Sequence, residues 1–498
     1  MERKFNYSRI MSAVIIIAMT LGVSLLYTTN PWTDRVWRGD SSMFIYFGKA
    51  MRAGKKIYTD IFDHKGPIIF VLNYLGTFLP GRVTGVYWIE LAALFSGMVG
   101  MYRIARFYLS RLNALGILAV YALTLSRYLQ HGNLTEAYAL PFWIYSLYLF
   151  IRYFYQKRQV TLTETAGVGA SVMLVFLLRA NLILSWIPII VTILFDYIKK
   201  KDWSAMRTTI GGFTIGFVGV GVIASILLIT TQVWDAFIFQ AFTFNFTYLE
   251  HGSGQNVLFK FLIEMIRDYS LFVLISFIVF FMMKREKPLV SLGLFGAFIC
   301  TFYGATLSGR AYLHYLMLVF PIIAIMASIV LAHFPLSKKW QQYTFWLLIF
   351  CLYLPRIQVF KQQVVAENRP LMMTVWQRDI AENKHDRSAK EVSAYVQQVT
   401  EPEDSIYSLF EAGRIYLLSD RLANTKFFSL PAVNFNEFPE LLTEFYAEFD
   451  ANPPKVIVLK HGALSQAELP FTRHLLERVE ADYHLTFSNA RYEVYEMK

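Results

Sequence analysis

The stretch Arg38-Gly39-Asp40-Ser41-Ser42 stands directly after residues 10–27, the first apolar run of membrane length. A second polar stretch, Asp60-Ile61-Phe62-Asp63-His64-Lys65-Gly66-Pro67, precedes the next long apolar run, which begins near residue 83. Charged residues and glycines are therefore concentrated in one loop, residues 29–82. Because a charged loop between two membrane-length runs lies at one face of the bilayer, this loop predicts a polytopic membrane protein with its polar chemistry at that face.

The composition of the 498 residues agrees with a membrane protein. Hydrophobic residues make up 55% of the chain and aromatic residues 17%, and the mean hydropathy is +0.40. The net charge is +11, but the basic residues flank the apolar runs, which is typical of topology signals and predicts no nucleic-acid partner. Cys300 and Cys351 both lie inside apolar runs, so neither a disulfide framework nor a Cys-x-x-Cys metal site is expected.

The apolar runs predict eleven transmembrane spans. They lie near residues 10–28, 83–101, 113–126, 137–151, 165–179, 181–197, 208–230, 269–283, 288–306, 313–332 and 341–356. If the N-terminus is cytoplasmic and residues 67–79 do not cross, all basic clusters between later spans fall on the cytoplasmic face, as the positive-inside rule requires. The sequence therefore predicts residues 67–79 as a short interfacial or re-entrant helix.

The loop at residues 29–82 is the one basic exception on the outer face. A helix in this loop would carry Phe44 and Phe47 on one side and Lys49 and Arg52 on the other. Such an amphipathic helix lies in the interface with its cations at the depth of the lipid phosphates. The cations then either anchor the helix to headgroups or bind an anionic lipid substrate.

The composition becomes polar after about residue 357. Helices are predicted at residues 388–399, 437–449 and 466–479, and strands at 405–409, 455–459, 483–487 and 492–496. This alternation predicts a small α/β domain, and eleven spans put it outside the cytoplasm. We therefore expect a transmembrane catalytic domain at residues 1–356 and an extracytoplasmic α/β domain at residues 357–498. Because the second domain has no phosphate-binding glycine motif, it is expected to be a substrate-docking or capping domain.

Asp40 is the strongest candidate for a catalytic base. Transfer of a group to a hydroxyl or amine needs a base for the acceptor's proton and a cation for the leaving phosphate. A carboxylate beside Arg38 at the membrane face suits the first role. The alternative is that Asp40 caps a helix beginning near Ser42. Lys65, next to His64 at the start of a helix with Pro67 in its first turn, suits the second role, or else anchors the helix to headgroups.

Three further groups of polar residues are expected at the outer face. Glu136, at the start of the fourth span, is either a helix-end carboxylate or a second acid that joins Asp40. Arg310 and His314, four residues apart, would share one helix face near Tyr312 and mark a substrate path; Arg179 remains ambiguous. Asp63 with Asn245 and Tyr248, the latter two in the aromatic segment of the loop at residues 231–268, is expected to bind substrate, although such a segment is also typical of a headgroup belt.

These residues carry a family pattern. The stretch Gly39-Asp40-Ser41-Ser42 with Tyr58-Thr59-Asp60 and Asp63-His64-Lys65-Gly66-Pro67 resembles the first outer loop of GT-C-fold glycosyltransferases. The bacterial branch related to protein O-mannosyltransferases and aminoarabinose transferases is the most similar. Asn133-Leu134-Thr135-Glu136 resembles the family's second acidic site, with Glu in place of Asp, and Gly309-Arg310-Ala311-Tyr312-Leu313-His314-Tyr315 resembles its late Arg–His–Tyr motif.

The resemblance covers roughly residues 10–335 and carries functional expectations. It implies that Asp40 is the catalytic residue and that Lys65, followed here by Gly66-Pro67 where the family has Pro-Pro, helps to hold a lipid phosphate. It also implies a polyprenyl-phosphate-linked sugar as donor and transfer with inversion. The acceptor is expected to be a component of the cell envelope. The family has metal-dependent and metal-independent branches. No His or Asp spacing here demands a metal, so no cofactor is expected.

A transporter or flippase of lipid-linked sugars is the competing hypothesis. It explains the spans equally well, but a translocation path would continue to the cytoplasmic side, and the middles of the predicted spans are almost free of ionisable groups. An envelope assembly scaffold leaves Asp40 and Lys65 unexplained. The sequence therefore favours a glycosyltransferase at the outer membrane face, with membrane lipids around it.

Overall fold

The computed structural model describes residues 7–34, 37–246, 256–265, 288–333, 338–409, 411–428, 438–463 and 470–498. Its helices are α1 (Tyr7–Ser24), α2 (Gly39–Arg52), α3 (Pro67–Gly76), α4 (Val86–Tyr108), α5 (Arg111–Tyr128), α6 (Thr135–Gln156), α7 (Leu162–Phe176), α8 (Ile187–Lys200), α9 (Trp203–Thr230), α10 (Trp234–Ile238), α11 (Pro288–Thr306), α12 (Val319–His333), α13 (Lys339–Glu367), α14 (Arg369–Trp376), α15 (Lys384–Val399), α16 (Arg414–Ser419), α17 (Pro439–Ala451) and α18 (Pro470–Asp482). Its strands are β1 (Ser405–Ser408), β2 (Leu422–Ala423), β3 (Val456–Lys460), β4 (Tyr483–Ser488) and β5 (Tyr492–Met497).

The predicted spans coincide with helices wherever the structure describes them. Ten of the eleven do so, and the span at residues 269–283 lies outside the described residues. Four helical segments in the described part are long and apolar enough to cross a membrane: Ala180–Lys200, Trp203–Thr230, Pro288–Thr306 and Lys339–Glu367. The fold class is therefore confirmed as a mainly helical polytopic membrane protein with a small α/β domain.

The helix α3 is too short to span a hydrocarbon core by itself. It has 10 residues and is therefore about 15 Å long, half of the roughly 30 Å that a hydrocarbon core requires. Its ring Phe70 stacks on Phe47 of α2 with centroids 4.2 Å apart. The prediction of a short helix within residues 67–79 is confirmed, and its interfacial or re-entrant placement stays a prediction. The buried side of α3 packs against the helix that carries Asp40.

The chain divides into two compact units. Unit 1 comprises residues 1–26, 89–227 and 252–366, and unit 2 comprises residues 27–88, 228–251 and 367–498. Within unit 1 the buried indole of Trp143 donates to the Leu318 carbonyl at 3.0 Å, and that of Trp186 donates to the Ser146 hydroxyl at 2.8 Å. A buried indole N–H usually finds such a partner, and these two bonds connect α6 to the segments that precede α12 and α8.

Unit 2 contains the five-stranded sheet. The strand order is β2-β1-β3-β5-β4, with β1 parallel to β2 and β3, and with β5 antiparallel to β3 and β4. The predicted α/β alternation is thus confirmed, and the short elements α14, α16 and β2 are additional. One hydrophobic core joins the sheet domain to the loop at residues 29–82 through Phe62 and to the segment after α10 through Phe244. The division at residue 356 stays a prediction.

Candidate functional site

Asp40 lies in the first turn of α2. The helix begins at Gly39, whose φ of +50° favours glycine, after an extended Arg38 (φ −138°, ψ 151°). The N-cap is Arg38, so the alternative in which Asp40 caps a helix beginning near Ser42 is wrong. The positive end of the helix dipole favours a carboxylate here. Asp40 is half-buried, and within the described ranges its carboxylate has no hydrogen bond or ion pair.

Asp63 is the buried acid of the same loop. Its side chain is 2% exposed, and its Oδ1 accepts the Lys65 backbone N–H at 2.8 Å, which closes a tight turn. Burial raises the pKa of Asp63; Lys65 opposes this change and Asp40 adds to it, and the net pKa is raised. Asp40 and Asp63 are therefore close enough to interact electrostatically, and the Asp63 carboxylate shapes the turn that presents Lys65.

Lys65 stands at the N-terminus of α3. Gly66 is the N-cap and Pro67 the first helical residue, which is the preferred position for proline because the first amide needs no partner. The Lys65 ammonium is 3.0 Å from His64 Nε2 and 6.0 Å from the centroid of the Phe44 ring. A helix N-terminus with an adjacent ammonium binds anions. His64 and Lys65 therefore lie together at this helix N-terminus, and their assignment to a phosphate stays a prediction.

A π-helical turn, Phe239–Thr243, is hydrogen-bonded to the loop that contains Asp63 and Lys65. The Gln240 amide donates to the Tyr58 carbonyl at 2.6 Å and accepts the Asp63 N–H at 3.1 Å. The Asn245 amide donates to the His64 carbonyl at 2.8 Å. Asn245 therefore contacts the backbone of the loop, while Tyr248 lies outside the described residues. Gln240 is the residue that the sequence did not assign; π turns often occur at functional sites, but no sequence pattern identifies this one.

Glu136 belongs to a second cluster, in unit 1. It is 1% exposed in the first turn of α6. Arg179 Nη1 donates to its Oε1 at 2.5 Å, and the Thr135 hydroxyl donates to its Oε2 at 2.9 Å. The Arg179 guanidinium also lies 3.7 Å from the centroid of the Tyr315 ring. Both carboxylate oxygens are therefore engaged, and Arg179, which the sequence left ambiguous, is the partner that neutralises Glu136.

His314 joins this cluster through Tyr315. Its ring is 4.6 Å from the Tyr315 ring, and its Nδ1 is 3.1 Å from Gln130 Oε1. His314 is 5% exposed, whereas Tyr312 is 46% exposed. The late Arg–His–Tyr motif thus contributes His314 and Tyr315 to the Glu136 cluster, while its Tyr312 lies at the surface of unit 1.

The prediction that Arg310 and His314 share one helix face is wrong. Arg310 and Tyr312 lie in an irregular segment, and only the 3₁₀ turn Leu313–Leu316 and then α12 follow. Gly309 with φ +64° and an extended Tyr312 interrupt the helical period. The Arg310 Nη1 is instead 3.5 Å from the Tyr312 hydroxyl, so this pair is formed within the irregular segment.

The loop before Glu136 is fixed by a buried acid that the sequence did not identify. Glu90 of α4 is 3% exposed and accepts the backbone N–H of Asn133. The Asn133 side chain in turn accepts the Tyr138 hydroxyl at 2.8 Å, and its backbone has φ +51°. A carboxylate inside an apolar run is the available signal for Glu90, because intramembrane acids are rarely without a partner.

We find no group of side chains that could bind a metal ion in the part of the chain that the structure describes. There, no three His, Cys, Asp or Glu side chains are arranged to hold an ion. The expectation of metal-independent chemistry stays a prediction.

Comparison with solved structures identifies proteins that share this fold. ArnT from Cupriavidus metallidurans, in a crystal structure bound to undecaprenyl phosphate, superposes with a TM-score of 0.62 at 14% identity over 97% of each chain. The oligosaccharyltransferase AglB from Archaeoglobus fulgidus, in complex with an inhibitory peptide and a dolichol-phosphate, has a TM-score of 0.56 at 12% identity over 99% of this chain and 75% of its own. The resemblance to GT-C-fold membrane glycosyltransferases is thereby confirmed at the level of the fold.

Sequence comparison identifies the family. Residues 2–356 match the family described as "Putative competence-induced protein Ccs4 N-terminal domain". No curated protein matches the chain. Because the match covers more than half of the sequence, the chain belongs to this Ccs4 family.

Proposed function

We propose that this member of the Ccs4 family is a membrane glycosyltransferase that moves a sugar from a polyprenyl-phosphate donor to a cell-envelope acceptor. The observation that carries the proposal is the grouping of Asp40, Asp63 and Lys65 in unit 2, at the N-termini of α2 and α3. It is supported by the fold shared with ArnT and AglB, whose structures hold undecaprenyl phosphate and a dolichol-phosphate. The acceptor class is a glycan, a teichoic-acid-like polymer, a lipid or a protein.

Asp40 acts in this proposal as the general base. An acceptor hydroxyl or amine attacks the anomeric carbon of the donor sugar while the bond from that carbon to the phosphate oxygen breaks. The acceptor's proton passes to Asp40, and polyprenyl phosphate leaves with the electron pair. A single displacement inverts the anomeric carbon. The half-buried carboxylate suits this role because no described residue competes for its oxygens, and a general base must reach the proton that it removes.

Lys65 and the first turn of α3 act on the leaving phosphate. The ammonium and the free amides of that turn would stabilise the negative charge that develops on the phosphate oxygen. His64, 3.0 Å from the ammonium, is assigned to the same phosphate. The family resemblance alone assigns Arg310, Tyr312 and His314 to binding of the donor lipid.

Glu136 has a supporting role in the proposal. Since both of its oxygens are engaged by Arg179 and Thr135, we assign it to holding the charge of Arg179 in position. The reaction is proposed at the extracytoplasmic face, with the N-terminus cytoplasmic and the C-terminal domain outside, because this topology leaves the basic clusters between spans in the cytoplasm.

Mass spectrometry of envelope material tests the proposal. Polymers, lipids and proteins would be compared between cells with and without this protein. We expect one acceptor to carry the added mass of one hexose, pentose or aminosugar only when the protein is present. Identical spectra would refute the transferase. A flux assay in proteoliposomes tests the transporter hypothesis, and we expect no movement of lipid-linked sugar across the bilayer.

A further inference from the structure

The helix that carries Asp40 is held at its N-terminus by acids from the C-terminal part of unit 2. Arg38 Nη1 donates to Glu367 Oε1 at 3.1 Å, and its Nη2 pairs with Asp386. The two acidic side chains are only 12% and 11% exposed. The guanidinium two residues before Asp40 is therefore paired with acids more than 320 residues later in the chain.

The middle and the end of α2 are held by the same part of the chain. The Tyr46 hydroxyl accepts the Ala423 N–H at 2.9 Å, and its ring stacks on Phe428 with centroids 4.3 Å apart. Lys49 Nζ donates to the Tyr416 carbonyl at 2.9 Å and pairs with Asp420 at 2.9 Å. These last contacts lie at the C-terminus of α16, where a cation is favoured. Lys49 is thus engaged with protein, which leaves it unsuited to the headgroup role expected from the sequence.

The backbone at Gly413 contacts the backbone of α2 within one turn of Asp40. A Cβ added to Gly413 would lie 2.1 Å from the Ser42 carbonyl oxygen, so the chain entering α16 touches the first turn of α2. Arg414 Nε also donates to the Trp37 carbonyl at 2.9 Å. The C-terminal domain therefore packs on α2 at backbone distance, and any larger residue at Gly413 would displace the turn that carries Asp40.

We infer that the C-terminal domain is a positioning element for Asp40, with Asp386 as a positioning residue that acts through Arg38. The inference rests on the proposed function, in which Asp40 is the base. A helix of the 14 residues that α2 has is marginal in isolation, so its first turn depends on external contacts. A misplacement of about 1 Å at a catalytic group costs about 100-fold in rate. The domain therefore sets the efficiency of transfer and is more than a cap over the substrate.

The test compares Asp386→Asn with Asp450→Asn in the full-length protein. Asp450 is a matched control because it also pairs with an arginine, Arg478 at 2.6 Å, in the same domain but away from α2. Hydrogen exchange of the amides at residues 40–46 is expected to be about tenfold faster in Asp386→Asn and unchanged in the control. In an Arg38→Gln background, Asp386→Asn is expected to cause no further change.

A second readout separates positioning from a general loss of structure. Affinity for undecaprenyl phosphate is expected to stay within about twofold in Asp386→Asn, while transfer falls about tenfold or more. Unchanged exchange at residues 40–46, or a loss of lipid affinity equal to the loss of transfer, would overturn the inference. If Asp386→Asn does not fold, Tyr46→Phe replaces it in the same hydrogen-exchange measurement, because this change removes the acceptor of the Ala423 N–H and keeps the ring stack. Faster exchange at residues 40–46 is again the expected result, and unchanged exchange would overturn the inference. If the wild type transfers no sugar, the proposed function fails, and the exchange result still decides whether the domain holds α2.

Discussion

Replacing Glu136 by glutamine is expected to destabilise unit 1 by about 2–3 kcal/mol. The change leaves the Arg179 side chain, 14% exposed, without the carboxylate that lies 2.5 Å away. Removing one partner of a buried ion pair typically costs about 3–5 kcal/mol. Two contacts with Arg179 survive, the Tyr315 ring at 3.7 Å and Asn181 Oδ1 at 3.1 Å. Since these lower the cost of the orphaned cation, a loss at or just below the lower end of that range is expected.

Unfolding by sodium dodecyl sulfate in mixed micelles measures this loss, with the fluorescence of the buried indoles as the signal. The matched control is Glu264→Gln, because Glu264 also pairs with an arginine in unit 1, at 2.7 Å, but is 24% exposed beside Arg127 at 21%. We expect less than about 1 kcal/mol for the control.

The double variant Glu136→Gln/Arg179→Met removes both charges and is expected to recover part of the loss. The reasoning is refuted if Glu136→Gln costs no more than the control. It is also refuted if the double variant loses the sum of both single variants, because the pair would then be uncoupled.

Three further predictions concern the first loop and the topology. Lys65→Met is expected to weaken binding of undecaprenyl phosphate about 10- to 100-fold, whereas Lys55→Met, at an exposed position of the same loop, changes it less than about twofold; equal losses would contradict the assignment. The pKa of Asp63 is raised in the fold, so protonation of Asp63 stabilises the folded state. This stabilisation is complete below the unfolded pKa of about 3.9 and is lost as the pH rises through the folded pKa. The free energy of unfolding then falls by about 1.4 kcal/mol for each tenfold difference in proton affinity between the folded and unfolded states. The stability advantage of Asp63→Asn over the wild type in denaturant titrations should therefore grow with pH from about 4 and then level off; a constant difference would contradict this. A fluorescent protein that folds only in the cytoplasm should be bright when inserted after residue 157 and dark when fused after residue 498; the reverse pattern would refute the topology.

The helices at the predicted spans, in the described residues, and the short α3 follow from the sequence because they depend on local properties. Apolar length predicts each span, and the basic clusters determine which segments cross. The turn at Asp63 and Lys65 is likewise local, since an Asp side chain that accepts an N–H two residues later is a common turn. These features need no knowledge of tertiary contacts.

The ion-pair partners of the charged residues cannot be predicted from local sequence properties. Arg38 and Asp386 are separated by 348 residues, and Glu136 and Arg179 by 43, so no spacing in the sequence links them. The interface role expected for Lys49 failed because an amphipathic pattern does not reveal whether lipid or a protein carbonyl meets the cation. Arg310 and His314 were misplaced because a four-residue spacing implies a shared face only inside a continuous helix.

The most direct test of the account is the mass of the envelope acceptor in cells that produce Asp40→Asn. Asp60→Asn is the matched control, since Asp60 lies exposed in the same loop and accepts the Lys56 N–H at 2.8 Å, a bond that asparagine retains. Both variants should be present at wild-type levels in the membrane. We predict that the one-sugar mass increment disappears with Asp40→Asn and persists with Asp60→Asn. An undiminished increment with Asp40→Asn would contradict the assignment of Asp40 as the base.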